Sequence, residues 1–295
     1  MKGILFAGDS FTWGEGLHFY SDLPDIDYNE ESFNNCGYTP AHKDWINANR
    51  FSRKVANHFE TFDLVRYHNG GNNNEIFDFI DNIEKVYADR YADTQNSTHR
   101  MFTYKMIDFD YIVVQLTDMF RAKIEFIHNG IIKKCNIRSE VSIKETEFDK
   151  YLQEIHNNDI NKFIDIFLDD FAKMVEKKFK QYESMGVKKC LIHTWQNELI
   201  PYIKNNSFLN DRFIEYNVNG ITFSSIWDLQ SRKDRPNGMA ISDDQYFQKI
   251  GKKIVNGHTS LRAHKIQAEA IINKIEEIEK QIIWQTQNTH PIKTN

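Results

Sequence analysis

Ser10 closes the tripeptide Gly8-Asp9-Ser10 at the end of the apolar run GILFA, and a second glycine-bearing turn follows it in GDSFTWGEG. A serine at the carboxyl end of a strand has two uses. It can shape a tight turn, or it can hold a hydroxyl where a substrate meets it as a nucleophile. The second use needs a base, usually a histidine, and donors for the oxyanion. Of 11 histidines, His258 in VNGHTSLRAHKIQAEAI is the best placed, on a loop just before the last long helix. Two readings of it stand open: a base facing a cleft, or a residue that caps or solvates its turn.

The elements around these residues follow from hydrophobic periodicity. Residues 3–7 and 110–116 are short continuous apolar runs, which read as buried strands, and residues 62–67 and 187–193 read as two further strands. Phe51, Val55 and Phe59 recur every fourth residue and predict a helix over 47–60. A turn at Gly70-Gly71 precedes a helix carrying Ile76, Ile80, Ile83 and Tyr87, with Asn73 or Asn74 as N-cap. Phe163, Phe167, Phe171, Met174 and Tyr182 share one face of a helix over 161–183, stopped by Gly186. The last helix starts near Thr259 or Ser260 and runs to about 284. Residues 17–46 read as a long surface loop and 195–250 as irregular, with short strand candidates at 213–216 and 221–227. A hairpin is expected about His128-Asn129-Gly130, inside an insertion at about 119–160. Strands alternating with helices imply a parallel sheet covered on both faces. The expectation is a single domain over 1–284 and a polar tail at 285–295.

Composition narrows the classes. A net charge of −5 argues against a general nucleic-acid binder. Three cysteines, Cys36, Cys135 and Cys190, lie far apart with no paired spacing, so neither a disulfide scaffold nor a zinc site is expected. The N-terminal apolar stretch is too short for a signal-peptide core, and no run approaches the roughly 18 apolar residues of a membrane helix. The location expected is cytoplasmic or virion-associated. Aromatic residues make up 14% of the chain, which supplies either a phenylalanine-rich core or loops suited to sugar rings.

In an open parallel sheet the reactive crevice lies at the carboxyl ends of the strands. Ser10 after the first strand, Gly70-Gly71 after the second and Thr117-Asp118 after the third converge there by topology. Gly8-Asp9-Ser10, the Gly70-Gly71 turn and GHTSLRAH resemble, in order, the nucleophile, glycine and C-terminal histidine blocks of the SGNH (GDSL-type) hydrolase superfamily. The resemblance spans residues 1 to about 275. It implies an α/β fold, a three-layer α/β/α flavodoxin-like sandwich with a mainly parallel central sheet, and acyl transfer without a cofactor or a metal. Ser10 attacks an ester carbonyl and His258 relays the proton. The backbone N–H groups of Ser10 and of Gly71, or Gly70 in its place, receive the oxyanion.

Two positions depart from the family pattern. Thr117 stands where the family has the Asn of Gly-x-Asn-Asp; its hydroxyl can donate with shorter reach, or it only caps the turn. Val255 stands where the family has the triad Asp three residues before the histidine. Asn256 is then the nearest group able to accept from the imidazole, and Asp228, Asp243 and Asp244 are upstream carboxylates. Asp9 reads as a turn former and His264 as packing support. Trp13 is read as lining the cleft or covering the core, and Arg121 as meeting an anionic substrate group or forming a surface ion pair. The substrate class implied is a small acyl ester, first an acylated carbohydrate. The alternative is a weakened or inactive SGNH-like protein serving in binding or virion assembly.

Overall fold

Apolar runs form strands when both faces are covered, and residues 3–8, 109–116 and 190–194 are buried throughout, whereas 63–66 at the sheet edge are half-buried. A computed structural model describes residues 1–14, 17–23, 39–67, 72–84, 104–119, 123–128, 131–136, 159–229 and 260–289. Strands β1 (Gly3–Gly8), β2 (Asp63–Tyr67), β3 (Phe109–Leu116) and β6 (Lys189–Thr194) form a sheet in the order β2-β1-β3-β6, parallel throughout. Past β6, Phe213 makes one further parallel bridge, to Ile192. The order reverses direction between β1 and β3, which is the switch point of flavodoxin-like sheets.

Alternate residues of each strand face opposite helical layers. Leu5, Ala7, Ile112, Val114, Cys190 and Ile192 pack with helices α4 (Asn73–Asp81) and α5 (Ile160–Ser184). Ile4, Phe6, Tyr111, Val113 and Leu191 pack with α3 (Phe51–His58) and the last helix, α6 (Leu261–Thr289). The architecture is the expected α/β/α sandwich, with a buried sheet between two helical layers. β4 (Lys123–His128) and β5 (Ile131–Asn136) pair antiparallel as a separate hairpin. A second small hairpin, β7 (Tyr216–Val218) with β8 (Ile221–Phe223), lies between short helical turns at 200–205, 207–210 and 226–229. No described helix is long and apolar enough to cross a membrane.

Several boundaries differ from the periodicity reading, each for a local reason. The segment read as a surface loop over 17–46 contains helix α2 (Pro40–Asn49), whose His42 and Ile46 are buried. Thr39 caps it, Pro40 opens it with its φ already helical, and His42 takes the reciprocal role of a capping-box glutamate. The helix expected over 47–60 is interrupted at Arg50, which is extended (ψ 153) between α2 and α3. Arg50 and Arg53 instead reach the buried Asp63 carboxylate at 3.2 and 2.9 Å, fastening the break to the start of β2. Asn72, not Asn73 or Asn74, caps α4, through a capping box with Glu75, and the helix ends at Asp81. Gly186 follows α5 with φ +105°, the left-handed stop that its position predicts. Helix α6 continues to Thr289 rather than about 284, since nothing in QTQNT breaks a helix and the first proline comes only at 291.

Candidate active site

Each strand's last residues deliver one segment to the carboxyl edge of the sheet, and side chains tie these segments together. Ser10, described in its backbone alone, opens the one-turn helix α1 (Ser10–Trp13) directly after β1. The turn is closed by the Thr12 and Trp13 N–H groups, which donate to Asp9 O at 3.0 and 3.3 Å. Asp9 is fully buried, and its Oδ1 accepts from Gln115 Nε2 at 2.9 Å. The same amide's Oε1 accepts from Thr12 Oγ1 at 3.0 Å. Gly8 is required beneath this arrangement. A Cβ there would lie 1.9 Å from Thr12 Oγ1 and 3.1 Å from Gln115 Cβ.

The second tie joins α4 to the end of β3. Because Asn72 takes the capping role, the Asn73 amide is available inward. Its Nδ2 donates to Thr117 O at 3.2 Å and its Oδ1 accepts from Thr117 N at 2.9 Å. The pair imitates a strand-to-strand contact with one side chain. It also accounts for Thr117, which is 3% exposed and held through its backbone. Replacing Asn73 with Ala leaves two buried backbone groups of Thr117 without these partners, a loss of about 2 kcal/mol or more. Asn73→Asp keeps the acceptor but loses the amide donor. Urea unfolding at neutral pH should rank wild type above both variants; equal midpoints would remove this role.

A third tie runs from β6. The Trp195 N–H donates to Leu116 O and the Trp227 N–H to Trp195 O, both at 2.8 Å. Asp228, one of the upstream carboxylates, lies just beyond Trp227 and accepts from Asn197 Nδ2 at 3.0 Å.

The last helix reaches the same edge. Ser260 Oγ accepts from Ala263 N at 3.0 Å and caps it. Leu261 packs against the cluster of Trp13, Leu17 and Ile46. Leu261, which opens α6, and Trp13, which ends the turn that begins with Ser10, therefore share one apolar cluster. Trp13 is 7% exposed within that cluster. His264 is buried, stacks on Phe51 at 5.6 Å and accepts the Phe51 N–H at Nδ1 over 3.2 Å, so that nitrogen carries no proton. Gly70, Gly71, Arg121, Asp243, Asp244, Val255, Asn256 and His258 lie outside the described residues.

One buried histidine was not singled out by the sequence. His193 stands opposite Gln115 in the strand register, fully buried, with Nδ1 2.7 Å from the Tyr216 hydroxyl. Desolvation pushes its imidazole down to about 3, so it is neutral at pH 7. The signal for both residues was visible: a polar side chain in a strand buried on both faces must find a partner inside. Among the described residues, no group of His, Cys, Asp and Glu has the arrangement to hold a metal ion.

No protein-family model matches the chain, and no curated protein matches it. Two solved structures show a distant similarity. One is a carbohydrate esterase whose active site displays divergent catalytic and non-catalytic binding functions, 13% identical over 94% of this chain with a TM-score of 0.34. The other is a family two carbohydrate esterase from Clostridium thermocellum in complex with cellohexaose, 11% identical over 96% of this chain with a TM-score of 0.35. The chain spans 65% of the length of each. The fold assignment rests on the strand order and layers described above, not on these similarities.

Proposed function

We propose that this chain is an SGNH-like serine esterase acting on a small acyl ester, with an acylated carbohydrate as the first substrate class. The observation that carries the reading is the meeting of two distant segments. The turn that begins at Ser10 leaves β1 beside the switch point, and Leu261, three residues on from His258, packs against the cluster to which that turn's Trp13 belongs. In the reaction, Ser10 Oγ bonds to the acyl carbon while its proton passes to His258. The C–O bond to the alcohol then breaks, and the alcohol departs with that proton. Water enters by the reverse relay, releasing the acid and restoring Ser10. The N–H groups of Ser10 and Gly71 (or Gly70) receive the oxyanion, with the Thr117 hydroxyl as a shorter donor. Asn256 orients the imidazole without a charge. Trp13 and Arg121 are the substrate-side residues.

The test is covalent labelling with a fluorophosphonate, read as peptide mass at Ser10. Wild type is expected to label and Ser10→Ala to stay unmodified. Labelling that survives the substitution removes Ser10 as the nucleophile. A second reading, a binding module without turnover on the same fold, is favoured by Val255 in the place of the triad acid and by Thr117 in that of the oxyanion asparagine. It predicts an unlabelled wild type that still binds an acetylated oligosaccharide in calorimetry.

A further inference from the structure

The buried amide of Gln115 lies between two residues that flank Ser10. We infer that Gln115 is a positioning residue for the Ser10 turn, holding Asp9 on one side of the serine and Thr12 on the other. This rests on the reading of Ser10 as a nucleophile. Gln115 is completely buried on a face of β3 whose other residues, Tyr111 and Val113, belong to the apolar core. Nothing in packing calls for an amide there; an aliphatic side chain would fill the space. The amide is used at both ends, with its N–H on Asp9 Oδ1 at 2.9 Å and its oxygen receiving the Thr12 hydroxyl at 3.0 Å. Only an uncharged side chain with a donor and an acceptor on one planar end meets a carboxylate and a hydroxyl together.

The neighbours are selected for the same contact. Gly8 leaves room for the Thr12 hydroxyl to cross above β1. The Asp9 carbonyl receives the N–H groups of Thr12 and Trp13, so a shift of Asp9 moves the whole turn. Residues 9 and 12 are thus referenced to the central strand. The backbone of Ser10, set between them, follows. Misplacement of a reacting group by about 1 Å can lower a rate roughly 100-fold, so a clamp of this kind acts on rate without touching substrate.

The chemistry of the amide supplies a discriminating test. In Gln115→Glu the new carboxyl must carry a proton to donate to Asp9, and a neighbouring buried carboxylate raises the pH at which that proton leaves. The variant should resemble wild type at pH 5 and lose the clamp as that proton leaves. The fluorophosphonate labelling rate at Ser10 is measured for both proteins from pH 5 to 9. The ratio of variant to wild type cancels any titration of His258. A ratio falling about 10-fold or more across this range is expected. Wild-type labelling with a flat ratio overturns the positioning role and leaves the nucleophile reading standing, whereas an unlabelled wild type overturns both. Should Gln115→Glu fail to fold, Thr12 carries the same test. Thr12→Val removes the donor to Gln115 at constant shape and should slow labelling several-fold, while Thr12→Ser should restore it. Equal rates for these two overturn the inference.

Discussion

Taking the protein from pH 7 to pH 4 is expected to remove about 3 kcal/mol of stability through His193 alone. Burial pushes this imidazole from its usual 6.5 to about 3, because the charged form would sit without water inside the second apolar layer. The unfolded chain binds the proton once the pH falls below about 6.5, and the folded chain does not do so until about 3. Throughout that window the unfolded state holds one proton more, so stability rises with pH and is lost on acidification, at about 1.4 kcal/mol per pH unit. Near pH 3 the loss stops. His193→Phe removes the titration. It leaves the Tyr216 hydroxyl without its ring partner, a fixed penalty of about 1–3 kcal/mol that does not depend on pH. The difference in unfolding free energy between wild type and variant, from urea melts at pH 7, 5.5 and 4, should therefore shift by about 3 kcal/mol in favour of the variant. A difference that stays constant would show that this imidazole is not held neutral.

Gly8→Ala is expected to have the second largest effect, and on function rather than on stability alone. The added methyl would meet Thr12 Oγ1 at 1.9 Å and Thr12 Cβ at 2.9 Å. Rotating the hydroxyl away relieves the first contact only by breaking its bond to Gln115, and the second remains. The turn must then lift from β1. Overpacking of this kind costs about 1–3 kcal/mol, and the displaced Ser10 should label roughly 100-fold more slowly. Gly3→Ala at the other end of the same strand is the control. Its methyl would meet the Phe62 ring at 2.2 Å, but that ring is 40% exposed and can swing into solvent. Gly3→Ala should keep nearly the full labelling rate. Equal rates for the two variants would mean that close packing at Gly8 does not govern the serine.

The centre of the sheet was legible because β1 and β3 are buried throughout. GILFA and DYIVVQL need no partner information to be recognised as such runs, and the spacing of the strands with intervening helices implies parallel order. Helix α2 was not legible as periodicity. Its buried face has only His42 and Ile46, and its signal was the cap Thr39-Pro40 rather than an apolar stripe. The choice among Asn72, Asn73 and Asn74 could not come from propensity, since all three suit a cap. Tertiary structure decides it, because Asn73 is needed by Thr117, 44 residues away. Gln115 is the one amide in DYIVVQL, but its pairing with Asp9 spans 106 residues and leaves no local trace. The location of Ser10 at a strand end could be read directly. What holds it there could not, beyond the anomaly of one amide in an apolar strand.

Helix α6 runs opposite to the strands. It starts at the cluster that holds Trp13, at the carboxyl edge, and near its far end Glu279 accepts from the Tyr111 hydroxyl at the beginning of β3 and lies 3.1 Å from Lys188 Nζ, just ahead of β6. At 1.5 Å per residue its 29 residues extend roughly 43 Å, against about 26 Å for the 8 residues of β3. The helix overshoots the sheet, and its final turns leave Ile283 and Trp284 54% and 67% exposed. The described fold consequently has two unlike ends: one gathers the strand ends around Ser10, and at the other the last helix projects past the sheet with Ile283 and Trp284 in solvent.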